Sequence, residues 1–388
     1  MYGLEFAPRG EGMQVISVVG LCVLMTMGLA AQPSAVKRGV DAAKSKAATA
    51  GKAVAPKFKA IWEPVPFNKD IDLEAIACPG IQTCYAVGGK GTVIFTTDGG
   101  TTWQAQLGGD PESTDDKLVR VHFLDVNHGW AMTSRGKILG TRDGRTWAEL
   151  STVSGTTNGV WFLSPQVGLE LENPSSTTQS TLQRTTDGGK TWAVLHKCSV
   201  DATVGGLARR LDCMLDKLQI FGPNLIFGGG GAQVSMGGSV AVFAQSRDGG
   251  QTWKTSVIPE TKYGITDLHF WTERDGIVVV SDGEATYWTA DGGETWTRSV
   301  LQRNWPSQTA VGGAGTIIVD VRERGIGYSF NGGRSFTSRP LGLPATVTDV
   351  TFPDAQHGYL VGQHGMAYRY RIVPFEYTSQ GMIGALAP

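Results

Sequence analysis

The chain is poor in charge. Asp, Glu, Lys and Arg make up only 18% of its 388 residues and the formal net charge is −1, so it lacks the strongly basic balance of a nucleic-acid-binding domain, and no nucleic-acid partner is expected. Cysteine is scarce as well, at five residues, with none of the C-x-x-C spacings or clustered histidines of a metal centre. No metal or other cofactor is expected. The one Gly-rich run, GGGGA at 228–232, lacks the Lys-Ser/Thr and the helix of a phosphate loop and reads as a flexible strand edge. What the chain has in abundance is glycine, 53 residues, and tryptophan, 11 residues. That profile suits a large β-rich globular protein.

The little charge there is falls unevenly. Residues 31–60 carry seven basic side chains and one acid, for +6, which leaves about −6 for everything from Ile61 onward. This Ala- and Lys-rich stretch has almost no large apolar residue to bury and reads as a flexible basic tether. Before it, VISVVGLCVLMTMGLA at 15–30 is an apolar run ending in small residues, short for a membrane span and suited to a secretory signal over 1–30. The protein is expected to be secreted or extracytoplasmic (periplasm, cell envelope or thylakoid lumen). A membrane contact would come only through an uncleaved signal or the basic tether. Outside the signal, Cys78, Cys84, Cys198 and Cys213 are an even set bound for an oxidising compartment, and nearest-neighbour pairing joins 78 with 84 and 198 with 213.

An octet recurs six times: TTDGGTTW at 96, TRDGRTW at 141, TTDGGKTW at 185, SRDGGQTW at 246, TADGGETW at 289 and SFNGGRSF at 329. Its central residues are Asp98, Asp143, Asp187, Asp248, Asp291 and Asn331, spaced 45, 44, 61, 43 and 40 residues apart; its closing aromatics are Trp103, Trp147, Trp192, Trp253, Trp296 and Phe336. A period of this length marks a repeat architecture. The long spacing holds KCSVDATVGGLARRLDC at 197–213, an excursion that the second cysteine pair would pinch off. Ahead of the octets run short alternating apolar stretches bounded by turn residues, three strands per unit, with a fourth starting at the octet aromatic. Seven such units meet only six octets. IWEPVPF at 61–67, led by Trp62, resembles the fourth strands and has no unit of its own. The expected fold is therefore an all-β, seven-bladed propeller of four-stranded antiparallel blades over 61–373, closed by the N-terminal strand and followed by a tail at 374–388. Within each octet the Asp should accept backbone N–H bonds, the glycines supply positive φ, and the aromatic fill the space between sheets. Asn and Phe can stand in for such roles, as they could not for a catalytic carboxylate.

The octet resembles the Asp-box of sialidases, xyloglucanase-type glycoside hydrolases and sortilin-type receptors. YAVGGKGTVIFTTDGGTTW at 85–103 and HGWAMTSRGKILGTRDGRTW at 128–147 are most similar to the repeat of the photosystem II assembly factor family of seven-bladed propellers. That resemblance spans Trp62 to Arg371. It implies a non-enzymatic platform that binds a protein partner, through an arginine patch for which Arg120, Arg135, Arg142, Arg145 and Arg184 are the candidates. The partner would be a membrane-protein complex or an envelope protein, and the propeller itself a monomer. The loops at 108–116 and 197–213 are where a partner would be distinguished.

The alternative is a glycan-active or glycan-binding Asp-box propeller. A sialidase would need an Arg-Ile-Pro element near the first unit; only YRYRIVP at 368–374 comes near, at the wrong end. A glycosidase needs two carboxylates across a cleft. Asp267 and Asp349 occupy one equivalent position, where Arg120 and Ala75 stand in other units, and read as solvated channel charges. His122 and His269 align without completing a ring of histidines, while His128 and His357 belong to surface turns. No catalytic residue is expected.

Overall fold

The computed structural model describes residues 57–375, apart from residue 111 and the segments 176–177, 236–237, 281–284, 301–307 and 323–324. The signal, most of the tether and the tail lie outside the described residues. The fold is an all-β propeller of seven four-stranded antiparallel blades. Six are continuous in sequence, at 73–107, 118–152, 157–197, 214–257, 265–300 and 308–340. The seventh takes Val347–Thr351, Gly358–Gly362 and Ala367–Phe375 from the end of the chain and Lys57–Pro64 from its beginning.

Burial explains the strand patterns. The second strand of a blade is sandwiched between neighbouring blades, so Cys84–Gly88, Gly129–Thr133, Gly276–Val280 and Gly358–Gly362 are buried at every residue. The fourth strands, such as Gln104–Leu107 and Ala193–Lys197, are largely exposed at the rim. Innermost strands touch their neighbours around the ring, and those of blades one to five and seven carry a register shift near their start, after the second paired residue in blade four and after the first in the others.

Each aromatic that opens a fourth strand packs between its own blade and the preceding one. Trp103 sits with Tyr359 and Val361 of blade seven as well as Ile76 and Ile94 of its own blade. Trp296 meets the rings of Phe243 and Phe270 at 5.2 and 6.2 Å, and Phe336 packs on Ile277 and Ile318. Trp62 takes the seventh such place. It packs against Phe352 and Tyr370 and donates its indole N–H to Tyr328 Oη of blade six at 2.8 Å.

Two boundaries and one local reading differ from expectation. The closing strand starts at Lys57 and its partner runs to Phe375, because the register Lys57↔Phe375 to Pro64↔Tyr368 extends the ladder past the aromatic. Four residues read as tether are thus strand. The GGGGA run is no strand edge: it lies within Ile226–Ser235, the second strand of blade four. A Cβ on Gly229 would lie 2.6 Å from Ile265 of blade five and one on Gly230 1.9 Å from the Met214 carbonyl, so bare backbone is what lets the neighbours approach.

Candidate functional site

The octets spend their polar groups on themselves. In the first copy, Thr96 Oγ1 donates to Asp98 Oδ1 at 2.8 Å and accepts the Gly100 N–H at 2.9 Å, while Asp98 accepts the N–H and hydroxyl of Thr102 at 2.9 and 2.7 Å. The same bonds recur around Asp187, Asp248 and Asp291. Gly100 at φ 80° and its equivalents supply the left-handed step. In the shortened second copy, Asp143 collects the N–H groups of Arg145 and Thr146 instead. In the sixth, Asn331 accepts from Ser335 N and donates to Ser335 Oγ, reversing one bond of the pattern. These bonds hold the carboxyls below the usual range, Asp248 at about 2 through the hydroxyl and N–H of Thr252.

The two paired carboxylates expected as solvated charges are instead inter-blade ties. Asp267 Oδ2 accepts the Thr309 N–H of blade six at 3.2 Å, and Asp349 Oδ2 accepts the Ile76 N–H of blade one at 2.9 Å. Asp267 also meets His269 Nε2 at 3.2 Å and Lys217 Nζ at 3.7 Å. Desolvation opposes its ionisation, yet His269 and Lys217 hold it down to about 2. At Asp349 desolvation outweighs the Ile76 bond and the field of Lys217, and its carboxyl is pushed up to about 6. The two stand two blades apart, each committed to a neighbour's backbone.

The arginines do not form one patch. In the six blades that carry one, the octet shares a face of the ring with the turn between first and second strands; the second-to-third turns and the connections between blades share the opposite face. Arg142 and Arg145 lie in the blade-two octet, and Arg184, half-buried, precedes the blade-three octet. Arg135 lies on the opposite face, 3.2 Å from Asp116. Arg120 stands on the innermost strand of blade two, its guanidinium donating to the Val119 carbonyl. Arg142 and Lys190 line a cleft of about 420 Å³ between the octets of blades two and three, over Trp130, Leu150 and Pro165. Sequence reasoning missed Lys190, which lies at a variable octet position.

The cysteines join as Cys78–Cys84 and Cys198–Cys213. The second bond closes an antiparallel hairpin, Ser199–Val204 with Leu207–Asp212, on the face opposite the octets. Val200 and the disulfide are buried against blades three and four, whereas Leu207 at the hairpin's turn is 61% exposed. The 108–116 loop shares that face.

Fold and geometry together define an Asp-box propeller whose octets are structural and whose exposed surfaces are clefts and loops suited to holding another molecule. Residues 35–142 match the family model described as photosynthesis system II assembly factor YCF48. The chain is 22% identical over 329 residues to the photosystem II assembly lipoprotein Ycf48 of Synechococcus sp. (strain CC9902), covering 78% of this chain and 87% of that protein. It is 25% identical over 337 residues to the Ycf48 of Picosynechococcus sp. (strain ATCC 27264 / PCC 7002 / PR-6), covering 80% and 87%. Among solved structures, "YCF48 bound to D1 peptide" superposes with TM-score 0.59 at 19% identity, covering 82% of this chain and 98% of that one. A virginiamycin B lyase from Staphylococcus aureus superposes with TM-score 0.58 at 11% identity, over 82% and 100%. The resemblance to the assembly-factor propellers thus covers nearly the whole ring, while the lyase shares the fold alone.

Proposed function

We propose that the protein is a non-enzymatic, extracytoplasmic platform that holds a segment of a membrane-protein complex during its assembly. The relatives named as photosystem II assembly lipoproteins, and the solved relative bound to a D1 peptide, support this reading. The observation in the structure that carries it is the 420 Å³ cleft, where Arg142 and Lys190 flank an apolar floor. Polar anchors around an apolar groove suit an extended peptide. The carboxylates nearest the cleft, Asp143 and Asp187, are saturated by their own turns. The glycan-active alternative loses its acid–base pair, since Asp267 and Asp349 are each bound to an adjoining blade. The propeller acts as a monomer, with the hairpin and the 108–116 loop distinguishing among partners on the other face.

The test is an affinity capture from the native host's membrane and envelope fractions, compared with an Arg142→Ala/Lys190→Ala variant. Recovery of one membrane-complex subunit that the variant loses supports the reading. Capture of glycans, or equal capture by the variant, removes it.

A further inference from the structure

Between blades two and three, beside the central channel, lies a second and much smaller cavity of about 40 Å³, with Arg120, His122, Trp130, Met132 and Trp161 in its wall. Strand pairing sets His122 opposite Trp130 and Arg120 opposite Met132, so all four side chains stand on one face of the blade. The His122 and Trp130 rings lie 24° from parallel, 6.5 Å apart. The His122 ring donates a hydrogen bond to the backbone carbonyl of Phe162 on the next blade. Its Nε2 is enclosed and has no partner. A buried polar atom left unpaired costs about 1–3 kcal/mol, so it calls for an occupant.

We propose that this cavity binds one soft monovalent metal ion, Cu(I), through Nε2 of His122 and the thioether of Met132, with the Trp130 indole against it. An imidazole tied to the main chain through one nitrogen and presenting the lone pair of the other is the arrangement of a metal ligand. Imidazole plus thioether selects Cu(I), and no carboxylate lines the wall to favour Mg²⁺, Ca²⁺ or Mn²⁺. Arg120 at the mouth repels a divalent ion twice as strongly as a monovalent one.

The site is tested on the full chain carrying Cys22→Ser, because the Cys22 thiol would itself take Cu(I). Cu(I) is titrated without oxygen against the chromogenic chelator bathocuproine disulfonate, with melting curves run alongside to confirm folding. The expected result is retention of one equivalent per chain. His122→Asn and the near-isosteric Met132→Leu should each weaken binding by at least the roughly 10–100-fold that loss of an outer-shell partner costs. His364→Asn, in an exposed turn, should leave it unchanged. Failure of the folded chain to retain Cu(I), or wild-type affinity in either folded cavity variant, overturns the proposal. A preference for Zn²⁺ over Cu(I) overturns it equally.

Discussion

Trp103 and Asp349 do opposite things for the ring. Trp103 fills the seam between blades seven and one, and Trp103→Ala should cost about 3–5 kcal/mol, toward the lower end because the indole is only half-buried. Trp103→Phe should retain most of that stability, as Phe336 does in the sixth copy. Denaturant midpoints at constant m-value would show both. Asp349 ties the same two blades at an electrostatic cost. Its folded carboxyl is raised to about 6, first by desolvation, so between about pH 4 and 6 the folded state keeps a proton that the unfolded chain loses, and stability falls as pH rises. Asp349→Asn keeps an acceptor for the Ile76 N–H and should be more stable than wild type above pH 6 but not at pH 4, measured by urea unfolding. The aromatic roles were legible in the sequence because the octet repeats. The carboxylate roles were not: an Asp at the start of an innermost strand reads as solvent-facing until the adjoining blade brings a backbone N–H to it.

Among the elements, the disulfide-closed hairpin and the octets make separate predictions. Cys198 and Cys213 close a loop of 15 residues, and reducing or replacing the pair should lower stability by about 3 kcal/mol in the chain-entropy model. The six octet turns should remain intact. Those turns act in acid. Their carboxyls titrate below the unfolded value, Asp248 near 2 through its Thr252 bonds, so their contribution is complete above about pH 4 and is lost as pH falls toward 2. Tryptophan fluorescence against pH should show that loss, and Asp248→Asn should shallow it. Strand number and blade count were written in the alternation and the octet spacing. The closing strand's true start was not, because Lys57 to Ala60 have the composition of the tether and become strand only through their ladder with residues 372–375. The glycine run misled for a related reason, since its value lies in what Ile265 and Met214 do nearby.

For the whole molecule, the dispersal of the arginines matters more than their number. The family resemblance offered five as candidates, and the winding of the blades sends Arg135 to one face, Arg142 and Arg145 to the other and Arg120 to the channel. The closing ladder reaches further. Lys57–Pro64 is among the first parts of the described chain to be made and Ala367–Phe375 the last, so some three hundred residues separate the halves of a single sheet. Such distant pairing is slow and late. Six blades must therefore wait with an open seam during synthesis, and any chain cut short before its last strand leaves Trp62 and the edge of blade one uncovered. The joint that finishes the ring thereby also tests whether its last strand has arrived.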